Sequence, residues 1–440
     1  MTCTKWIVGF LFCGLAGQAW AGGYEVEAQD TTLLGTANAG KTTVADSATV
    51  LFWNPAGLAF VDDTNFRFSI TNLYLDQEFT DQGTTNFLGI PATGSSVQDG
   101  IEPAWVPSFA FSWPLNDRVA FGIGLQSQFG LKTDWGEEWV GRYHATRSEL
   151  LTLNLSPAVS WRVNDQFSLG AGLGIQYAKT KLANQIDFGS IGFVSLPPDL
   201  SEALGLAPQQ NDGSIDVHGD DVDVGFTLGL LWEPMPAARV GLGYRSEIKH
   251  DLGGDAYFEV PPPAQILTLS GQFLDTGATT KLLTPALASL GFQYSFNSRW
   301  NFLADVTWVD WSAVESLDVI FDNPEQPPVS APANWKDTYR FSVGLTYEFD
   351  DNWTLRGGFA DAPSPVPDST RNARLADSDR KWFSRGASRK IGDRATIDMA
   401  YIYIDQDDAP IDFTDPLSGR IVGNVEWSAQ VFSLGTTVYF

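Results

Sequence analysis

The chain has 440 residues, a formal net charge of −26 and a mean hydropathy of −0.10. So acidic a chain excludes nucleic acid and polyanionic ligands as partners, because both require a basic surface. Its two cysteines, Cys3 and Cys13, fall in the first 21 residues, so a chain processed there has no disulfide, thiolate metal site or cysteine nucleophile.

The first 21 residues read as an export signal. Lys5 supplies a positive n-region, Trp6 to Leu15 an apolar h-region, and Ala19-Trp20-Ala21 an A-x-A cleavage site. Phe12 is too bulky for a lipobox before Cys13. Beyond this point no run of about 18 apolar residues predicts a transmembrane helix. Gly 42, Trp 16 and Phe 29 are heavy for a soluble domain, and charged residues are only 18%. An exported, glycine-rich and aromatic-rich chain without cysteine fits an outer-membrane β-barrel.

Residues 22–65 come next. They are rich in glycine and alanine, with little regular alternation, and within them "FWNPAG" breaks an apolar run with a rigid Asn-Pro turn. From residue 66 alternation with period 2 takes over. In 167–177 the odd positions are Phe167, Leu169, Ala171, Leu173, Ile175 and Tyr177, against Ser168, Gly170, Gly172, Gly174 and Gln176. The stretches 222–232 and 339–349 repeat the pattern. About fourteen such segments are predicted, near 66–75, 107–115, 118–128, 148–163, 167–180, 219–232, 238–250, 285–296, 300–310, 338–349, 353–360, 381–390, 395–403 and 427–440. Short turns alternate with long connections at 76–106, 129–147, 181–218, 251–284, 311–337, 361–380 and 404–426. That is the rhythm of periplasmic turns and extracellular loops. Phe440 ends the last strand and resembles the signal read by barrel-assembly machinery. The expected organisation is a signal peptide at 1–21, a plug at 22–65 and an antiparallel transmembrane β-barrel at 66–440. A barrel this wide has room for such a plug.

Four segments resemble one family. "GTANAGKTTVADSATVLFWNPAGLA", "TWVDWS", "WKDTYRFSVGLTYEFDDNWTLRGGFADAPSPVPD" and "LADSDRKWFSRGAS" occur in order and are similar to stretches of the FadL-type outer-membrane long-chain fatty acid transporters (the OMPP1/FadL/TodX group). The resemblance implies a monomeric fourteen-strand barrel with an N-terminal hatch. It implies passive uptake by loop capture, hatch movement and lateral exit where the third strand kinks. The ligand is then a long-chain fatty acid or another hydrophobic small molecule, and the setting is outer-membrane lipid and lipopolysaccharide, with no cofactor.

Under that reading the hatch or gate is Phe52, Trp53, Asn54, Pro55, Ala56 and Gly57. The hydrophobic capture groove is assigned to Phe129, Leu131, Trp135, Trp139, Phe193, Leu196, Leu200 and Leu204. Candidate carboxylate contacts are Arg340 and Arg356, on the lumen face by alternation, and Lys179 and Lys181 at a strand rim. Gly122 and Gly124 are candidates for the exit kink. No lysine stands just before Trp335, where the family leads one to expect a cation, so an alkane or aromatic hydrocarbon remains an alternative ligand. A general porin would lack the plug and the apolar loops. A hydrolase is disfavoured, because His144, His218 and His250 stand in no nucleophile motif. The acidic clusters, such as Asp220-Asp221-Val222-Asp223, have the ligands for calcium but lack an EF-hand pattern.

Overall fold

The computed structural model describes residues 22–100 and 103–440. The expected signal peptide lies outside them. Fourteen antiparallel strands close into one barrel. They are β1 Asn65–Asp81, β2 Ala104–Asn116, β3 Val119–Gln126 with Gly130–Asp134, β4 Arg147–Arg162, β5 Phe167–Ile186, β6 Gly213–Met235 and β7 Ala238–Arg245 with Ile248–Glu259. There follow β8 Thr276–Thr284 with Leu287–Ser295, β9 Trp300–Val309 with Ser316–Phe321, β10 Thr338–Glu348, β11 Trp353–Ala362, β12 Arg380–Ile391, β13 Ala395–Gln406 and β14 Gly419–Tyr439. β14 returns to β1 in continuous register from Asn65–Tyr439 to Asp81–Gly423. Closure is what allows such a sheet to cross a bilayer, since no row of N–H and C=O groups is left facing hydrocarbon.

Several strands run well past the lengths that the alternation marked. β5, β6 and the outer parts of β7, β8 and β9 extend into 181–218, 251–284 and 311–337, so these connections are in part strand. Two short helices, α2 Phe188–Ser195 and α3 Pro198–Ala203, cap this wall.

The outer face is apolar because it meets lipid. Leu173, Leu228, Phe341 and Phe432 all point outward and are exposed. Trp113, Trp161, Phe167, Trp232 and Trp300 gather near the short turns, as an interfacial aromatic girdle requires. Phe167 stacks on Trp232 with ring centroids 5.8 Å apart.

The inner face is covered by residues 22–64. This segment holds one turn of helix, α1 Thr31–Leu34, capped by Asp30, whose carboxylate accepts from the Thr32 and Leu33 amides. Two 3₁₀ turns follow at Ala48–Phe52 and Pro55–Phe60. Proline starts the second turn, where its missing N–H is harmless, and Asn54 Oδ1 accepts from Ala56 N at 3.2 Å. The same Asn54 donates to Thr42 O at 2.7 Å and to Leu230 O of β6 at 3.0 Å. The Asn-Pro wedge is thus a capped turn pinned to the barrel wall near its periplasmic end.

The glycines of the inner face are the imprint of this segment. A Cβ on Gly170 would strike the Pro55–Ala56 backbone, and one on Gly229 the Asn54 side chain. A Cβ on Gly241, Gly243 or Gly358 would strike the backbone of Thr42, Trp53 or Thr36. Gly122 and Gly124 belong to the same set. Leu51, Leu58 and Phe52 lie where their side chains would be.

Charges complete the attachment. Arg67 of β1 pairs with Asp30 at 3.3 Å and with Asp398 of β13. Arg340 of β10 pairs with Glu25 at 3.5 Å and with Glu27, which also holds Lys41 at 2.8 Å. Asp305 of β9 accepts from Thr42 Oγ1 at 3.0 Å and from the Gly40 amide.

Replacing Gly229 by leucine drives a side chain into Asn54 and should dislodge the segment at this anchor. We expect single-channel conductance in planar bilayers to rise from near zero to resolvable steps. Conductance equal to wild type would show that Asn54 is not an anchor.

Candidate functional site

The third strand does not run through. The ladder between β2 and β3 stops at Phe109–Leu125, and among the described residues the second part of β3, Gly130–Asp134, is in ladder with β4 alone, with one further bond from Asp134 N to Gly100 O at 2.9 Å. Between the two parts, Ser127, Gln128 and Phe129 turn inward and bond to the N-terminal segment. Val26 N donates to Gln128 O at 2.7 Å, and Gly130 N to Tyr24 O at 2.9 Å. Gln29 closes the lower end: its side chain donates to Ser127 O at 2.6 Å, and its carbonyl accepts from Ser108 Oγ of β2. The wall therefore has a gap beside the upper part of β2, and residues 24–29 fill it from inside.

Above this lies a cavity of about 1210 Å³. Leu131, Leu182, Ile191, Phe258, Phe273 and Val319 are among its lining residues, and most of the surface they offer is apolar. Its floor is an aromatic cluster. Tyr24 meets Trp311 edge-to-face at 4.9 Å, Trp335 at 5.4 Å and Phe129 at 5.9 Å. The Tyr24 hydroxyl donates to Leu283 O of β8. Thus the residue at the bottom of the cavity belongs to the segment that fills the gap.

One loop reaches both. Residues 363–379 line the cavity through Arg374 and Leu375. Asp377 of the same loop accepts from Gly23 N at 2.8 Å and from Ser364 Oγ at 2.7 Å, and pairs with Arg380. The "SPVPD" and "DSDR" stretches are thereby locked together around the start of the N-terminal segment.

A largely apolar cavity over a barrel whose inner face is covered by its own N-terminal segment, beside an interrupted strand, suits a transporter, and the sequence agrees. Residues 12–440 match the model of the family described as outer membrane protein transport protein (OMPP1/FadL/TodX). The chain belongs to this family. It is 29% identical over 415 residues to the long-chain fatty acid transport protein of Escherichia coli, covering 89% of each chain. The crystal structure of a Pseudomonas aeruginosa FadL homologue superposes with a TM-score of 0.88 at 26% identity, covering 95% of this chain and 100% of that one. A toluene transporter from Pseudomonas putida shares the fold, with a TM-score of 0.66 at 19% identity, over 90% of this chain and 94% of that one. The protein is thus an outer-membrane transporter of the FadL family for hydrophobic compounds.

Within this FadL-type barrel the residues singled out from sequence fall into three groups. Leu131 lines the cavity and Phe129 sits in its floor. Trp135 and Trp139 do not line it. They stack on each other at 4.8 Å, fully buried with Phe79, and form the core of the loop cap. On the helical cap, Leu196 and Leu204 pack around Phe188 and Leu206, Leu200 is half-buried on α3, and Phe193 is exposed; the lining residues there are Ile191 and Val194.

The cations sort differently from expectation. Lys179 and Lys181 continue the outward parity of β5; Lys179 is exposed and Lys181 pairs with Asp216 at 2.7 Å. Neither reaches the lumen. Arg340 does face inward, but Glu25 and Glu27 occupy it. Arg356 bonds Ser388 Oγ below the cavity, beside Gly35. Gly122 and Gly124 sit in regular ladder with β2 and β4, so the interruption of β3 is not there but at Ser127–Phe129. Phe52–Gly57 lie toward the periplasmic end, and Gly57 is small because the Val50 side chain rests on it. Sequence reasoning did not single out Tyr24, Trp311, Trp335 or Arg374 as site residues, and it weighed His144 only as a catalytic base. Trp311, Trp335 and Asp377 stood inside family-like motifs, whereas Tyr24 and Arg374 carried no local signal.

His144 is buried among the loops, and burial pulls its pKa from about 6.5 down to about 4. Because the folded value is lowered, the unfolded state takes up the proton first on acidification. Its contribution to stability is then full above about pH 6.5 and falls as pH drops toward about 4. Limited proteolysis of the loops should therefore accelerate between pH 7 and pH 5, and the change should shrink in His144→Phe. Trp139→Ala should loosen the same cap by about 3–5 kcal/mol, as other buried tryptophan truncations do, read as earlier thermal loss of loop protection.

Proposed function

We propose that this protein takes up long-chain fatty acids passively. The ligand collects in the apolar cavity, the N-terminal segment moves, and the ligand leaves sideways through the gap in β3. The observation that carries this reading is that Tyr24 is the floor of the cavity while its neighbours Val26 and Gln29 fill the gap. One displacement of residues 24–29 would connect the two. Partition of an apolar chain into the cavity and onward into lipid supplies the driving force, at roughly 0.8 kcal/mol for each methylene removed from water. Asp377 supports the coupling, since the loop that lines the cavity also holds Gly23. The Escherichia coli relative is a long-chain fatty acid transport protein, which supports a fatty acid as ligand.

A reversible lock tests the mechanism. Val26 and Gln128 face each other across the register set by the Glu25–Phe129 bridge. We expect the double variant Val26→Cys, Gln128→Cys, when oxidised, to lose uptake of labelled oleate by cells lacking their own transporter. Reduction should restore it, and oleate binding to purified protein should survive in both states. Undiminished uptake in the locked protein would rule out this route.

A further inference from the structure

We propose that Arg374 and His144 form a binding site for the carboxylate head group of the transported amphiphile, set in the wall of the apolar cavity. This rests on the uptake reading above and names the ligand class it selects.

Arg374 lines the cavity, and its guanidinium meets only neutral acceptors: Ser148 Oγ at 3.2 Å, Arg147 O at 3.4 Å and Asn184 Oδ1 at 3.0 Å. Among the described residues no carboxylate lies within ion-pair distance of it. Asp415 is the acidic group that acts on it, but Asp415 Oδ1 is held by the Leu417 and Ser418 amides at 2.8 Å each. Burial lowers the Arg374 pKa to about 10, so the side chain is still a cation at neutral pH. Arg374 is half-buried and has no ion-pair partner among the described residues, so its charge is incompletely compensated, and a ligand carboxylate would accept the planar pair of N–H bonds that arginine offers.

Elsewhere in the cavity wall Lys249 pairs with Glu247 at 2.8 Å, the His250 ring lies 3.1 Å from Asp221, and Lys281 acts on Asp318 without an ion pair among the described residues.

His144 provides the second donor. It lines the cavity and is nine-tenths buried, and its Nε2 has no hydrogen-bond partner among the described residues. Its ring packs edge-on to Phe413 at 6.3 Å, and Arg374 and Asp415 are both near enough to act on it electrostatically. A neutral imidazole with its proton on Nε2 and a guanidinium on one wall both donate. Two donors on one wall, with Asp415 Oδ1 already held by backbone amides, fit a carboxylate and give nothing to a neutral hydrocarbon.

The site is also held in place. Trp135 Nε1 donates to Ala373 O at 2.9 Å, Arg374 N donates to Asn372 Oδ1 at 3.0 Å, and Leu375 packs against the floor cluster. Trp135 is therefore a positioning residue for Arg374. Fixing the fork beforehand spares the ligand part of the ordering that binding otherwise requires.

Binding of oleate and of methyl oleate to the purified full-length protein in non-ionic detergent, followed by tryptophan fluorescence, tests this. Wild type should bind both. Arg374→Met should weaken oleate by about tenfold to a hundredfold and leave methyl oleate unchanged. Arg374→Lys should recover part of the loss, and His144→Phe should show a smaller loss, again for the acid alone. Heat-modifiable migration confirms that each variant barrel is folded. Equal weakening of acid and ester, or no weakening of the acid in Arg374→Met, overturns the head-group site and leaves the uptake reading standing. Failure of wild type to bind either compound overturns the uptake reading itself.

Discussion

The ion pairs between the barrel wall and residues 22–64 are the constraint from which the rest follows. A barrel of this width cannot fill its interior with its own side chains, so its inner face is free to carry Arg67, Asp305, Arg340 and Asp398. Three are matched from inside, Arg67 by Asp30, Asp305 by the Gly40 amide and Thr42, and Arg340 by Glu25 and Glu27, while Asp398 pairs with Arg67 within the wall. Breaking one partner of such a pair is expensive while the site stays dry, at about 3–5 kcal/mol. Water entering from the periplasmic side would rehydrate both partners and remove most of that expense. An attachment made of charge over small residues can therefore be rigid when closed without being permanent. A purely apolar interface would give no comparable sensitivity to water.

The gap in β3 obeys the same logic at the level of the backbone. Hydrocarbon tolerates no unpaired N–H or C=O. A strand that leaves the ladder at Ser127 must find other partners, and Tyr24, Val26 and Gln29 provide them. The gap is thus safe only while it is filled. Each backbone group that loses its partner there would cost about 1–3 kcal/mol, which keeps the gap shut in the absence of something to offset it. On the proposed uptake route an apolar chain pressing on the Tyr24 floor would be such an offset, because burying ten or so methylenes is worth several such bonds.

How much of this was legible in the sequence depends on whether a position repeats. Lipid-facing positions must be apolar at every second residue, so the strands announce themselves, and the glycines between them mark the inner face. The same parity shows that Lys179 and Lys181 follow Leu173, Ile175 and Tyr177 outward, although their charge alone suggests a lumen role. What the glycines face is not local information. Gly122 and Gly124 read as weak points in a strand, and they are instead the space taken by Phe52, Leu51 and Leu58. Trp135 and Trp139 illustrate the opposite failure. Two tryptophans in a loop suggest a binding surface, but a long loop over a barrel needs a core of its own, and they are that core.

The loops carry no period at all, which is why the chemistry nearest the ligand was the least visible. The order of the chain separates His144 from Arg374 by more than half its length, and only the stacking of β4 and β5 ends under the 363–379 loop brings Ser148, Asn184 and Arg374 together. The loop core is what makes that meeting durable. Trp135 is stacked, buried and hydrogen-bonded to the backbone next to Arg374, so the residue that failed as a groove surface is the one that holds a cation steady in an apolar wall. A barrel whose outside is dictated by lipid and whose inside is dictated by its plug has its loops left as the region free to distinguish one hydrophobic ligand from another. There a single half-buried arginine in an apolar wall weighs more than the many acidic residues exposed to solvent, because charge counts more where water is scarce.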